Sequence, residues 1–176
     1  MRLNKFFSLR VACDGEASSG KSTAAKLISK KYNLFHMNSG LLFRYSSYLI
    51  IKYKPKKIIP FLKKKFKNVS YKKVANLNLH SEKISEHVPI ISKQKEVRKI
   101  MRIFQKKIIK RNNQICCEGR DQASIILKKN PKYDIAFYFK CNLNIASLRR
   151  WKDLKKKVPL KEVKKSLKTR TLIDKK

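Results

Sequence analysis

The sequence predicts an α/β protein built on a parallel sheet, and three observations support this. Apolar, strand-like runs at 8–14, 35–38, 114–117 and 134–140 alternate with segments whose apolar residues repeat at helical spacing. The first of these runs leads directly into a glycine-rich loop and then into a helix. At 176 residues, the chain suits one domain with small inserted lobes. Alternating strands and helices favour parallel strands joined by right-handed crossovers.

The loop after the first strand has the GxxxxGK[ST] spacing of a phosphate-binding loop. Gly15 and Gly20 permit backbone angles that a Cβ would forbid, so amide N–H groups can surround an anion. Lys21 is predicted to reach the outer phosphates of a nucleotide, and the Ser22 hydroxyl to bind Mg²⁺. The predicted phosphate-binding residues are Gly15, Glu16, Ala17, Ser18, Ser19, Gly20, Lys21, Ser22 and Thr23.

The composition is strongly basic. There are 46 Lys and Arg residues against 11 Asp and Glu, which gives a formal net charge of +35. Such a charge favours anionic partners, either nucleic acid or small phosphorylated molecules. The basic residues are spread along the chain, and no recognisable nucleic-acid-binding motif accompanies them. We therefore interpret most lysines as a solvated surface, with nonspecific nucleic-acid affinity as a by-product.

Hydropathy and cysteine usage indicate a cytoplasmic protein. No apolar run approaches the ~20 residues needed to span a bilayer, and the segment before the first strand is too short for a secretory signal. The four cysteines lie in or at the end of apolar runs and lack the spacing of a metal site. We expect reduced thiols that pack as small hydrophobic residues.

Polar residues follow the second strand-like run. Residues 41–51 have helical spacing, and Ser39 is predicted to cap that helix. Asn38 and Ser39 then stand at the carboxyl end of a strand, where ligands bind in open parallel sheets. Arg44 lies about one and a half turns into the same helix.

The middle of the chain changes in character. We interpret residues from about 52 to 91 as a small inserted lobe, with 69–80 weakly strand-like and a polar segment ending at Pro89. Residues 92–111 carry the apolar stripe of a long helix. Arg98 lies on another face of this helix and could point at an anion.

The third strand-like run ends in Glu118-Gly119-Arg120-Asp121, which is typical of a functional site. A strand-to-loop turn with a structural ion pair is the alternative interpretation. A helix is predicted over 142–157, with Arg149 and Arg150 midway along it, and another helix begins at Pro159.

Taken together, these motifs resemble the bacterial cytidylate (CMP/dCMP) kinases. The resemblance covers most of the chain and is weak between about 52 and 90. The loop alone indicates only a P-loop NTPase, whereas the S-G-x-x-[FY]-R and G-R-D elements are far more specific. The matching elements are Asp14-Gly15, Asn38-Ser39-Gly40 with Phe43-Arg44, Val97-Arg98, Glu118-Gly119-Arg120-Asp121 and Arg149-Arg150.

The resemblance implies a single P-loop kinase domain with a three-layer α/β/α core and a parallel sheet. The core would comprise 1–51 and 92–148. The inserted lobe of about 52–91 would bind the nucleoside monophosphate. Residues from about 149 to 176 would form a helical lid and the C-terminal helices.

The implied activity is transfer of the ATP γ-phosphoryl group to CMP or dCMP with Mg²⁺, by a monomer with no specific nucleic-acid or membrane partner. The implied cytidylate-binding residues are Ser39, Arg44, Arg98, Arg120, Asp121 and Asp174. The three arginines among them would hold the phosphate of the cytidylate. The implied catalytic residues are Lys21, Arg120, Arg149, Arg150 and Arg170, the later ones belonging to the lid. An acceptor phosphate is already anionic, so no general base is needed.

Three departures from the family pattern affect this hypothesis. The family usually has Asp where this chain has Asn38, and Ser85 and Ser92 are both candidates for a serine that the family places before the Val-Arg pair. The family also continues past the lid with an acid-rich run, a strand and a helix. Arg170 and Asp174 resemble the start of that run, so we expect a shortened lid region.

Two alternatives stay open at this point. One is a kinase of the same fold that acts on another nucleoside monophosphate. The other is a basic P-loop protein that binds nucleic acid and has lost catalysis.

Overall fold

The computed structural model describes residues 7–174, except for the side chains of Arg170 and of residues 172–174. It confirms an α/β fold with a four-stranded sheet, in which β1 pairs in parallel with both β3 and β4. The order of the strands in the sheet is β2-β3-β1-β4. The strands are β1 (Leu9–Gly15), β2 (Phe35–Asn38), β3 (Gln114–Gly119) and β4 (Ile135–Phe139).

The remaining elements are helical. The α-helices are α1 (Lys21–Tyr32), α2 (Ser39–Tyr53), α3 (Ile58–Lys67), α4 (Tyr71–Ala75), α5 (Glu82–Ser92), α6 (Lys95–Arg111), α7 (Leu143–Asp153) and α8 (Leu160–Asp174), and a π-helix covers Gln122–Ile126. Among the described residues, no helix is both long and apolar enough to cross a membrane.

The chain divides into two compact units. The first runs to Met37 and resumes at Gln114, and the second comprises Asn38–Asn113. The predicted inserted lobe of about 52–91 therefore falls wholly within the second unit, and its proposed role in nucleotide binding stays a prediction.

In the first unit, β1 lies between β3 and β4 and is buried along Val11–Gly15, as expected for a parallel strand covered on both faces. Its core cluster includes Val11, Cys13, Ala25, Leu34 and Cys116. The register pairs Cys13 with Glu118 and Asp14 with Gly119. The carboxyl ends of β1 and β3 therefore meet at the same edge of the sheet.

The cysteines are free thiols, as predicted. Cys13, Cys116 and Cys117 are buried, and Cys141 is half-buried. Cys13 Sγ lies 3.8 Å from Cys116 Sγ. Burial raises the pKa of Cys117 above its ordinary range, which keeps it protonated and unreactive.

From Ser39 onward, the regular secondary structure described in the second unit is helical. Its core joins α2, α3 and α6 through aromatic side chains. The ring of Phe66 makes edge-on contacts with Tyr45 and Phe104, at centroid distances of 5.6 and 5.2 Å. Leu42, Leu62 and Met101 are fully buried in the same unit.

One expectation for the second unit is wrong, since residues 69–80 contain the short helix α4 instead of a strand. The polar segment ending at Pro89, for which the sequence indicated no structure, is part of α5. Ser81 caps the start of α5, because its side chain accepts a hydrogen bond from the Ile84 amide. Ile84 and Ile91 are both buried two turns apart on one helix face, so burial outweighs the cost of Pro89 inside the helix.

Candidate active-site residues

The phosphate-binding loop in the first unit has the predicted strand–loop–helix context. β1 ends at Gly15 and α1 begins at Lys21. Gly20 precedes the helix in the left-handed region, with φ 91°, and Ser18 is also left-handed at φ 57°. No side chain caps the start of α1. Its first amide N–H groups therefore present donors and a partial positive charge to an anion.

Contacts within the loop hold it in this shape. The carbonyl oxygen of Glu16 accepts hydrogen bonds from Ser19 Oγ at 2.9 Å and from Lys21 Nζ at 3.1 Å. Ser19 is buried. The Lys21 ammonium thus lies over the loop that the sequence predicts to hold phosphates.

Glu118, at the carboxyl end of β3, is 2 % exposed. Ser22 Oγ donates a hydrogen bond to Glu118 Oε1, and His36 Nε2 lies 2.9 Å from Glu118 Oε2. Burial raises the pKa of Glu118, but the hydrogen bonds from His36 and Ser22 and the charge of Lys21 outweigh it, so the pKa lies below its ordinary value. Glu118 is therefore a buried carboxylate beside the loop.

Sequence reasoning assigned no separate role to Glu118 or His36. For Glu118 a signal was present, because this acid ends the third strand-like run, next to Gly119, Arg120 and Asp121. For His36 the sequence offered no signal, since its partner lies 82 residues away.

Asp14 connects the loop strand to the Gly-Arg-Asp turn. Its carboxylate accepts hydrogen bonds from the backbone N–H of Gln122 at 2.9 Å and of Ala123 at 2.8 Å. Burial raises the pKa of Asp14 and outweighs these two hydrogen bonds, which lower it. Asp14 thereby fixes the segment that follows Arg120 and Asp121.

The other predicted residues of the first unit lie as follows. Arg120 and Asp121 follow β3 and are half-buried. The main-chain oxygen of Asp121 accepts from the amides of Ile125 and Ile126 at the start of the π-helix. A Cβ added to Gly20 would lie 3.6 Å from Arg149 Nη1, so the Arg149 guanidinium is beside the phosphate-binding loop. Arg150 follows it on α7.

Two further predictions cannot be compared with side-chain geometry. Arg170 and Asp174 belong to α8, but their side chains lie outside the described part of the structure.

In the second unit, the prediction that Ser39 caps α2 is wrong. Asn38 is the capping residue, and Ser39 is the first residue of the helix and 5 % exposed. The strand ends at Asn38 as predicted, with φ −97° and ψ 107°, and the helix begins at Ser39, earlier than the predicted 41–51. The Asn38 amide also donates a 2.6 Å hydrogen bond to the Tyr71 hydroxyl.

Arg44 and Arg98 are both held by the segment that contains α5. Arg44 Nη1 donates to Leu79 O at 3.1 Å and to Ser85 Oγ at 3.0 Å. Arg98 Nε donates to Ser92 O at 2.7 Å, and its guanidinium lies 6.0 Å from the centre of the Phe43 ring. Of the two candidate serines, Ser85 accepts from Arg44 with its hydroxyl, and Ser92 accepts from Arg98 with its carbonyl.

We expect that the free energy of unfolding of the Glu118→Gln variant falls less steeply with decreasing pH than that of the parent. Because the pKa of Glu118 in the folded protein lies below its ordinary value of 4.5, the unfolded chain binds the proton more readily. The carboxylate therefore contributes stability above that pH, and the contribution is lost as pH falls through the folded pKa. Urea unfolding midpoints measured in steps between about pH 3 and 6 check this.

The control for this prediction is Glu86→Gln, which changes an exposed carboxylate on α5. In this variant the urea unfolding midpoint should fall with decreasing pH as it does in the parent. If the midpoint of Glu118→Gln also falls as steeply as that of the parent, Glu118 does not carry the assigned charge.

Comparison with known proteins identifies the family. The family model described as cytidylate kinase matches residues 11–176. The chain belongs to the cytidylate kinase family. It is therefore an ATP-dependent phosphotransferase that acts on nucleoside monophosphates.

Individual relatives agree with this assignment. A cytidylate kinase from Phytoplasma mali is 28% identical over 172 residues, covering 89% of this chain and 73% of the relative. A cytidylate kinase from Clostridioides difficile is 31% identical over 158 residues, covering 84% of this chain and 71% of the relative. The crystal structure of an uncharacterized protein from Eubacterium ventriosum matches with a TM-score of 0.56 at 15% identity, covering 96% of this chain and 76% of that one. At that identity the structural match supports the fold alone.

Proposed function

We propose that this member of the cytidylate kinase family transfers the γ-phosphoryl group of ATP to CMP or dCMP. The observation that carries the proposal is the phosphate-binding loop with Lys21 folded over it and Ser22 hydrogen-bonded to the buried Glu118. The names of the relatives support cytidylate as the acceptor.

The donor nucleotide is assigned to the first unit. The loop from Gly15 to Thr23 supplies backbone donors for the ATP phosphates, and Lys21 supplies a positive charge. Arg149 lies beside Gly20, which supports a role for it in neutralising the transferred phosphoryl group. Arg150 and Arg170 are proposed to act with it.

The donor groups near Ser22 fit Mg²⁺. Ser22 donates its hydrogen to Glu118, so the lone pairs of its oxygen remain available to a cation. Glu118 adds a buried negative charge, and Mg²⁺ prefers oxygen ligands of this kind together with substrate phosphates. When bound, Mg²⁺ would neutralise charge on the phosphates, and Ser22 would hold it.

The acceptor is assigned to the arginines and to the Gly-Arg-Asp turn. Arg44, Arg98 and Arg120 are proposed to bind its phosphate, since guanidinium groups grip phosphate through paired hydrogen bonds. Fixed anchoring of Arg44 and Arg98 on the α5 segment supports this role, because a prearranged donor loses less entropy on binding. Ser39, Asp121 and Asp174 are proposed to recognise the nucleoside.

An acceptor screen tests the substrate assignment. ADP formation is measured by a coupled assay with CMP, dCMP, UMP, AMP and dTMP under identical conditions. We expect CMP or dCMP to give the highest kcat/KM. A higher value for any other acceptor would assign the enzyme to that nucleotide. No turnover with any acceptor, together with salt-sensitive RNA binding, would instead favour a protein that has lost catalysis.

Arg120→Ala is expected to raise KM for the acceptor by about 10- to 100-fold, because a charge-assisted hydrogen bond to phosphate is lost. The affinity for ATP, measured by calorimetry without the acceptor, should stay unchanged. Arg111→Ala removes an exposed arginine at the end of α6 and serves as the control. Equal losses in both variants would show that overall charge, and not Arg120, determines acceptor binding.

A further inference from the structure

We propose that His36 is a positioning residue of the ATP site, which holds Glu118 in the orientation that directs the Ser22 oxygen towards Mg²⁺·ATP. The inference rests on the proposed function. His36 belongs to β2 and lies outside the phosphate-binding loop. Its described hydrogen bond is to Glu118 and not to a residue of that loop.

Both oxygens of the Glu118 carboxylate are engaged, each by a different partner. Ser22 Oγ bonds to Oε1, and His36 Nε2 lies 2.9 Å from Oε2. The side chain of Glu118 is 3% exposed and that of His36 is 23% exposed, so water competes little at Glu118. A carboxylate held at one oxygen alone can rotate about its terminal bond, whereas one held at both oxygens cannot.

The charge on Glu118 fixes the direction of both hydrogen bonds. An ionised carboxylate only accepts, so Ser22 must donate its O–H and His36 must carry its hydrogen on Nε2. With its hydrogen committed to Glu118, the Ser22 oxygen presents lone pairs to a cation. If Glu118 turned away, the Ser22 hydroxyl could rotate and aim its hydrogen at the cation instead.

The strand order explains how a residue so distant in sequence reaches this position. β2 neighbours β3 in the sheet, and β3 neighbours β1. His36 therefore approaches Glu118 from the side opposite to the phosphate-binding loop. Partners that orient the groups around a metal commonly change its affinity by about 10- to 100-fold when they are removed.

The test measures how much Mg²⁺ strengthens ATP binding, without any acceptor. The dissociation constant of a fluorescent ATP analogue is determined in excess EDTA and in excess Mg²⁺, and the ratio of the two is the readout. We expect His36→Leu to bind the analogue in EDTA as the parent does, and to lose about tenfold of the gain from Mg²⁺. His36→Gln retains an N–H donor and should recover most of that gain.

His87→Leu is the matched control, because His87 is a half-buried histidine on α5 whose Nδ1 has no hydrogen-bond partner. It should leave the ratio unchanged. In a Glu118→Gln background, His36→Leu should have no further effect, since the carboxylate that it positions is gone. Should His36→Leu fail to fold by circular dichroism, His36→Asn, with a side chain of shorter reach, replaces it.

Several results would overturn the inference. They are a parent-like ratio in the folded His36 variant, an equal loss in His87→Leu, or a full additional loss in the Glu118→Gln background. Because the measurement contains no acceptor, a wrong acceptor assignment leaves it intact. Conversely, an active (d)CMP kinase whose ratio is insensitive to His36 contradicts only this inference.

Discussion

Lys21→Ala is expected to abolish phosphoryl transfer, lowering kcat by about a thousandfold or more. The transfer reaction depends on positioning and charge neutralisation, and Lys21 places its ammonium over the loop that holds the phosphates. Its hydrogen bond to Glu16 O, at 3.1 Å, fixes that placement. Alanine removes both the charge and the contact. Initial rates at saturating ATP and CMP, with single-turnover measurements, check this prediction.

The matched control is Lys26→Ala, an exposed lysine on the same helix. With a net charge of +35, loss of one exposed lysine changes the overall field little, so its rate should equal that of the parent. Two results would contradict the role assigned to the loop. One is a Lys21→Ala variant that retains a tenth of the parental rate, and the other is a Lys26→Ala variant whose rate falls as far as that of Lys21→Ala.

The phosphate-binding loop could be predicted from the sequence because everything that shapes it is local. Gly15, Gly20, Lys21 and Ser22 follow one strand and open one helix, and each does so through its own backbone preference or side-chain chemistry. The structure repeats that arrangement, including the left-handed Gly20.

The environment of Ser22 could not be predicted in the same way. It depends on the order of the strands, which brings Glu118 to Ser22 from 96 residues away along the chain. The same strand order brings His36 to Glu118, 82 residues from it. Alternation of strands and helices predicts a parallel sheet but leaves the neighbours of each strand undecided. His36 therefore resembled any histidine in a short strand.

The second unit was harder to predict because its sequence signals conflict. Pro89 argued against a helix, whereas Ser81 and the buried pair Ile84 and Ile91 support one. Tertiary burial determined the outcome, as it commonly does for segments of weak intrinsic preference. The consequence reaches the candidate site, because the helix so formed carries the Ser85 hydroxyl that accepts from Arg44.

Gly15→Ala is expected to destabilise the protein by about 3 kcal/mol or more, the largest effect on stability that we predict. Gly15 has φ 153°, which L-residues rarely adopt, and an added Cβ would lie well inside van der Waals contact of Phe139 O and 2.9 Å from Phe139 N. These are backbone atoms of β4, which pairs with β1 at this residue. They cannot move aside without losing the 3.1 Å hydrogen bond from the Glu16 amide to Phe139 O.

Gly40→Ala separates this backbone effect from the general effect of replacing a glycine. Its added Cβ would meet a side-chain atom, the Asn38 Oδ1 at 3.0 Å, instead of backbone atoms. Because alanine favours the helix, we expect the stability to change by at most about 1 kcal/mol. Urea unfolding of both variants checks this, and equal midpoints would mean that β4 yields at Phe139. Gly15 is also the first residue of the phosphate-binding loop. Any folded Gly15→Ala protein should therefore bind ATP more weakly than the Gly40→Ala protein does.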